Sequence, residues 1–231
     1  MPAKFKVCVH CGASVPLVEL SPAVWQAIKR SLSNGSSTMA IAEIVSLTGV
    51  SQHDATQCLE HLRCCIFSWP LEASLREVMA EIDSAFGDIA KPQHFTNFAH
   101  CRESLEHDDV LRSQTVKTIA RSDLGNVGWN PMTFANGLGR AYYFPALARY
   151  AAIPSDWPQR DSYIDLLACN LGGDPKANKL FQFCNSRQRE GIASLMDWLS
   201  SESENAREFN SAARSYAGWP TWADGAALWR A

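Results

Sequence analysis

Apolar residues recur every three or four positions along most of this chain, and strict alternation is rare. That period lines them up on one stripe of a helix, so the pattern predicts a mainly α-helical fold. Ser21 and Pro22 open the first predicted helix, because serine caps a helix and proline suits its first turn. Val24, Ile28 and Leu32 form its apolar stripe, and Asn34-Gly35 stops it. A second helix is predicted through Ala40, Ile41, Ile44 and Val45 to Gly49. A third starts at Ser51, with Asp54 as capping-box partner and Ala55, Leu59 and Leu62 as its stripe. Ahead of these helices, FKVCVHCGASVPL reads as an extended turn bent at Gly12.

Ser68-Trp69-Pro70 breaks the helical period and sets a boundary between a small three-helix module, residues 1–70, and a larger irregular helical domain, residues 71–231. Beyond it, Leu71, Leu75, Val78, Met79, Ile82 and Phe86 resume the helical spacing, and Pro92 ends that element. Thr96 or Asn97 is expected to cap the next helix, which runs to about Arg112. Residues 121–140, rich in Gly, Asn and Asp, are expected to form a long loop, and Pro145 to start a helix through Leu147 and Tyr150. Later helices are predicted near 161–169, 177–184, 187–200 and 204–216, with Ile192, Leu195, Met196 and Leu199 among the buried positions.

At 231 residues, 46% of them hydrophobic, the chain can bury a sizeable core. The net charge of −3 gives no global basic field, which argues against a nucleic-acid partner held through phosphates. The charge is uneven: residues 71–110 carry three Lys/Arg against nine Asp/Glu. No apolar run reaches the roughly 18 residues of a membrane helix, and MPAKFK is followed by no apolar export segment. A cytoplasmic protein is expected, with its eight cysteines as reduced thiols.

Two stretches resemble known families. AIKRSLSNGSSTMAIAEIVSLTGVSQHDATQCLEHL, residues 27–62, resembles the helical part of the C-terminal domain of bacterial ribosomal protein L7/L12. In that family the third helix carries lysines that meet translation GTPases; here the place holds Gln52, His53, Asp54 and Gln57, so factor binding does not carry over. Over about 82–200, the words HFTN, GNxGW and YYxPAL in that order resemble an uncharacterised family of bacterial helical proteins. This second resemblance implies a fold and no activity. That family carries a second cysteine three residues after Cys101, where this chain has Ser104.

Candidate chemistry is sparse. Cys8-x-x-Cys11 followed by Gly12 is half of a zinc-ribbon or knuckle signature, in which a turn lets two thiolates grip one ion. The other half would come from His61, Cys64 or Cys65; otherwise the two are thiols in a turn. His100, Ser104, His107 and Leu111 share one helical face, but zinc wants four nitrogen or sulfur donors. The alternative is that His100 and His107 hydrogen-bond to the 121–130 loop while Glu103, Glu106 and Asp109 are solvated. The sequence contains no GxSxG, P-loop, HExxH or GxGxxG. Trp129, Asn130, Tyr142 and Tyr143 could line a binding surface or simply anchor a long loop. The tail GWPTWADGAALWRA either docks on the core or presents its Trp to a partner. Glu72, Glu77 and Glu81 on one helix, and Glu103, Glu106 and Asp109 on another, form two acidic sides with few cations nearby. Taken together, these features lead to the expectation of a non-catalytic protein-binding protein, immunity-type or regulatory, with a basic protein partner. The alternative is a zinc-dependent enzyme or nucleic-acid adaptor using the CxxC module.

Overall fold

The computed structural model describes residues 5–8, 14–16, 37–64, 71, 73–126, 128–152, 163–202 and 206–231. The chain is mainly α-helical and divides into two compact units, one built mainly from Met1–Pro70 and one from Leu71–Ala152 with Asp161–Ala231.

In the first unit, β1 (Phe5–Val7) and β2 (Ser14–Pro16) pair antiparallel, with Phe5 opposite Pro16 and Val7 opposite Ser14. Helix α1 (Ser37–Thr48) ends where Gly49 takes a φ of +70°, which lets its N–H return to the Val45 carbonyl at 2.9 Å. Helix α2 (Gln52–Cys64) begins at Ser51, whose hydroxyl accepts from Asp54 N at 3.1 Å and donates to the Asp54 carboxylate at 2.7 Å. Ala40 and Ile44 of α1 are buried, as are Ala55, Cys58 and Leu59 of α2, and the two helices pack on these faces while α2 also packs on β2. The helix expected from Ser21 to Leu32 lies outside the described residues.

The second unit holds α3 (Ala73–Phe86), α4 (Arg102–Ser113), the single-turn α5 (Pro131–Phe134), α6 (Gly137–Ala152), α7 (Tyr163–Leu171), α8 (Lys179–Phe183), α9 (Ser186–Ser201), α10 (Ala206–Ala212) and α11 (Trp222–Arg230). At its centre, α6 packs against α3, α7 and α8, and every side chain from Tyr143 to Ala152 is buried. A helix apolar all round belongs inside a core. Pro145 therefore sits within α6 and does not begin it, a correction to the sequence reading. An internal proline costs about 3 kcal/mol, and burial on every side of α6 outweighs it. Arg149 on α6 reaches α3 through two hydrogen bonds to the Asp83 carboxylate, at 2.9 and 2.5 Å.

Helix α9 packs against both α3 and α11, and the Trp198 indole N–H donates to Ser74 Oγ at 3.0 Å. The C-terminal tail docks on the core: Trp219, Trp222 and Trp229 are buried. Thr221 and Asp224 form the capping box of α11. Gly225 faces the Trp219 indole so closely that a Cβ there would collide with it. The 121–140 stretch is also more ordered than a long loop: it holds a 3-10 turn (Arg121–Leu124), α5 and the start of α6. Short polar side chains do this work locally, since Asn130 caps α5 by accepting from Met132 N at 2.9 Å, and Asn136 accepts from Gly139 N at 2.8 Å. Among the described residues, no helix is long and apolar enough to cross a membrane.

Candidate functional site

Helix α4 carries the densest polar chemistry in the second unit. Its N-cap is Cys101, not Thr96 or Asn97 as the sequence suggested. The Cys101 sulfur accepts from Ser104 N at 3.5 Å and lies 3.2 Å from the Ser104 hydroxyl. Thr96 and Asn97 are displaced from the cap because the 94–96 segment is strapped along the helix. There, Asp108 is fully buried and accepts from Phe95 N at 2.6 Å, Thr96 N at 3.0 Å and His94 Nδ1 at 2.7 Å. A buried carboxylate needs such donors. Burial alone would raise its pKa, but the hydrogen bonds from His94, Thr96 and Phe95 prevail and hold it below the usual carboxylate value. The His94 ring stacks on Phe98 with centroids 3.8 Å apart.

The outer side of α4 is a charged ridge. Glu103, Glu106 and Asp109 are all exposed, as expected. The ridge supplies cations of its own, however: Arg102 pairs with Glu106 at 2.8 Å and Arg112 with Asp109 at 3.8 Å. Neutralisation is therefore more local than the segment's charge count implied. Of the second acidic set, Glu77 is exposed, Glu81 is half-buried, and Glu72 lies outside the described residues. At about 100° per residue, Leu105 projects on one flank of the ridge and Glu103 on the other, beside His107. Leu105 and Trp129 are both exposed large apolar side chains.

His107 lies under that second flank. It is fully buried, its ring 4.5 Å from that of Trp129 and 4.4 Å from that of Phe134, centroid to centroid. Neither ring nitrogen has a hydrogen-bond partner; the nearest carboxylate, Glu103, is 3.7 Å from Nε2. His107 therefore meets the 121–130 region through ring contact, where hydrogen bonding was expected, and His100 is exposed. Burial pushes the His107 pKa down, against the opposing pull of Glu103 and Glu106.

Of the aromatic candidates, Trp129 alone reaches the surface as an exposed side chain. Asn130 is buried as the cap of α5, and Tyr143 is fully buried with its hydroxyl 2.5 Å from the Leu111 carbonyl and 3.0 Å from that of Gln114. Both are structural: neither can be offered to a partner without opening the fold. Burial pushes the Tyr143 phenol up, keeping it a donor that fastens the C-terminal end of α4. Tyr142 is half-buried and accepts from Val116 N at 3.4 Å.

The sequence reading missed the His94–Asp108 pair. Asp108 falls on the same helical face as Ser104 and Leu111, but nothing in the local sequence places His94 and the 94–96 backbone against it. It also passed over Cys101, an exposed thiol drawn down to about 7 by hydrogen bonds from the Ser104 hydroxyl and backbone N–H, then by His100. Of the CxxC pair, Cys8 follows β1 and is buried, while Cys11 lies outside the described residues. Among the described residues, no group of three or more His, Cys, Asp or Glu side chains could hold a metal ion. Compared with protein-family models, curated proteins and solved structures, the chain matches none.

Proposed function

We propose that this protein is a non-catalytic binding protein, of an immunity or regulatory kind, that docks a basic protein partner on the outer face of α4. One observation carries the reading: a ridge bearing exposed Glu103, Glu106 and Asp109 is flanked by exposed Leu105 on one side and Trp129 on the other. Aromatic anchors bordered by charge are what protein interfaces favour, the aromatics for affinity and the charges for steering. The ridge's own arginines make the recognition one of pattern more than of bulk charge, since Arg102 and Arg112 would have to share Glu106 and Asp109 with the partner. In this reading the protein works in the cytoplasm. The test is affinity capture with wild type and with Glu103→Lys/Glu106→Lys as parallel baits. A basic protein recovered by the first and lost by the second supports the reading; recovery by both removes α4 from it.

A second reading is a zinc-dependent enzyme or nucleic-acid adaptor built on the CxxC. The observation favouring it is the antiparallel pairing of β1 with β2, which brings together the two ends of the segment containing Cys8 and Cys11. Stoichiometric zinc in protein purified without chelator, lost in Cys8→Ser, would move the assignment there.

A further inference from the structure

Trp129 sits at the end of a tight turn. Asn126 and Trp129 exchange backbone hydrogen bonds at 3.0 and 3.1 Å, and the Asn126 side chain accepts from the backbone N–H groups of Gly128 and Trp129. Gly125, at φ +66°, precedes the turn, and a Cβ there would strike the Trp129 carbonyl. Where it meets α4, the Trp129 indole rests on the ring of His107, and Phe134 contacts that ring as well.

A fully buried imidazole with no hydrogen bond on either nitrogen, and with Glu103 no nearer than 3.7 Å, is unusual, because buried polar groups are normally paired. As a neutral ring it still packs well between two aromatics. As an imidazolium it carries two N–H donors and a charge, and both need acceptors.

Few groups meet that need. On α4, Glu103 is 3.7 Å from Nε2 and half-exposed, Glu106 is turned to Arg102, and Asp108 is occupied by His94, Phe95 and Thr96. The turn and α5 bring Trp129, Asn130, Phe134 and no ionisable side chain against this region. In the 3-10 turn that packs on α5, Arg121 donates to the Gly125 carbonyl and Asp123 accepts from Ala120 N. One nitrogen could thus reach Glu103, but the other would face apolar surface.

We propose that His107 is a proton-operated latch: neutral, it lets Trp129 close over α4, and protonated, it drives the turn carrying Trp129 off the helix. Attraction between the cation and the Trp129 ring works against opening. Desolvation of the charge is the larger effect, in keeping with the downward displacement of the His107 pKa. When the turn lifts, the imidazolium gains water and Glu103 can turn fully onto it. The sign follows from linkage. The closed form holds its proton less tightly than the open form, whose His107 titrates near the ordinary value of about 6.5. Closure is therefore complete above that pH and weakens as pH falls below it. The latch acts on the face assigned above to a partner, but its test needs no partner, so each idea can fail alone.

The test is amide hydrogen exchange of the 121–134 region in the full chain between pH 5 and 8, corrected for the intrinsic pH dependence of exchange. In wild type, opening of this region should grow by up to about tenfold for each pH unit below about 6.5, while α9 and α11 stay unchanged. In His107→Phe, which keeps an aromatic ring of similar shape, the region should exchange independently of pH. A flat wild-type profile, or a His107→Phe profile that keeps the wild-type pH dependence, overturns the latch. Should His107→Phe fail to fold, NMR titration of His107 in wild type decides: a midpoint at or above about 6.5 overturns it, and a lower one upholds it.

Discussion

The Asp108 carboxylate lies 2.7 Å from Nδ1 of His94, and this contact fixes the imidazole's tautomer. A carboxylate accepts only, so Nδ1 carries the proton. The same carboxylate takes the backbone N–H groups of Phe95 and Thr96, so one buried charge fastens the segment preceding α4 to the body of that helix.

Removing this carboxylate leaves buried donors without partners, at about 1–3 kcal/mol for each N–H. Asp108→Ala should therefore destabilise the second unit by roughly 3 kcal/mol or more, measured by urea denaturation. Because the folded-state pKa of Asp108 is depressed, its contribution is present above the unfolded value of about 3.9 and is lost as pH falls through the folded one. The melting-temperature advantage of wild type over Asp108→Asn should be constant near neutrality and shrink below about pH 4.

Trp222 and Trp229 are both fully buried, yet their indole N–H groups differ. Trp222 donates to the Phe209 carbonyl at 2.7 Å, while the Trp229 N–H has no partner. Trp222→Phe should accordingly cost more stability than Trp229→Phe, by about 1 kcal/mol. Either replacement by Ala should cost roughly 3–5 kcal/mol. Equal effects of the two Phe variants would mean that the Trp222 hydrogen bond contributes nothing.

Cys101 is drawn down to about 7 by Ser104, which favours the thiolate, whereas burial pushes Cys184 up to about 12 and also raises Cys169. Iodoacetamide at pH 7 should modify Cys101 well ahead of Cys169 and Cys184, as peptide mass spectrometry would record. Ser104→Ala should slow Cys101 alkylation several-fold at that pH and leave the other two unchanged.

Most of the helical content was legible because burial leaves a periodic trace. The spacing of Leu75, Met79, Ile82 and Phe86 located α3, and that of Ile192, Leu195, Met196 and Leu199 located α9. Where the reading slipped, a local rule was overridden by packing. Pro145 looks like a helix start, but α6 is enclosed on all sides and tolerates it. Gly- and Asn-rich residues 121–140 look like loop, but Asn130 and Asn136 spend their side chains capping helices. Tyr143 looks like a binding aromatic and is instead a strut between α6 and the end of α4. On α4 the exposed acids were readable from spacing. The Asp108 pairing was not, since it joins residues 14 apart through a strap whose path the sequence does not encode locally.

The face of α4 is tested most directly by association kinetics. Once a basic partner is in hand, its association rate should be measured by stopped flow across a salt series with wild type, Glu103→Lys/Glu106→Lys and Trp129→Ala. Steering by exposed charge predicts a rate that falls steeply with salt, a loss of most of that dependence in the double variant, and faster dissociation with little change in association for Trp129→Ala. The double variant should keep the wild-type melting temperature within a few degrees, because both glutamates are exposed, while Trp129→Ala should lower it modestly, because the indole packs on the His107 ring. An association rate indifferent to both salt and charge reversal, with dissociation unmoved by Trp129→Ala, would place the binding surface elsewhere on the molecule.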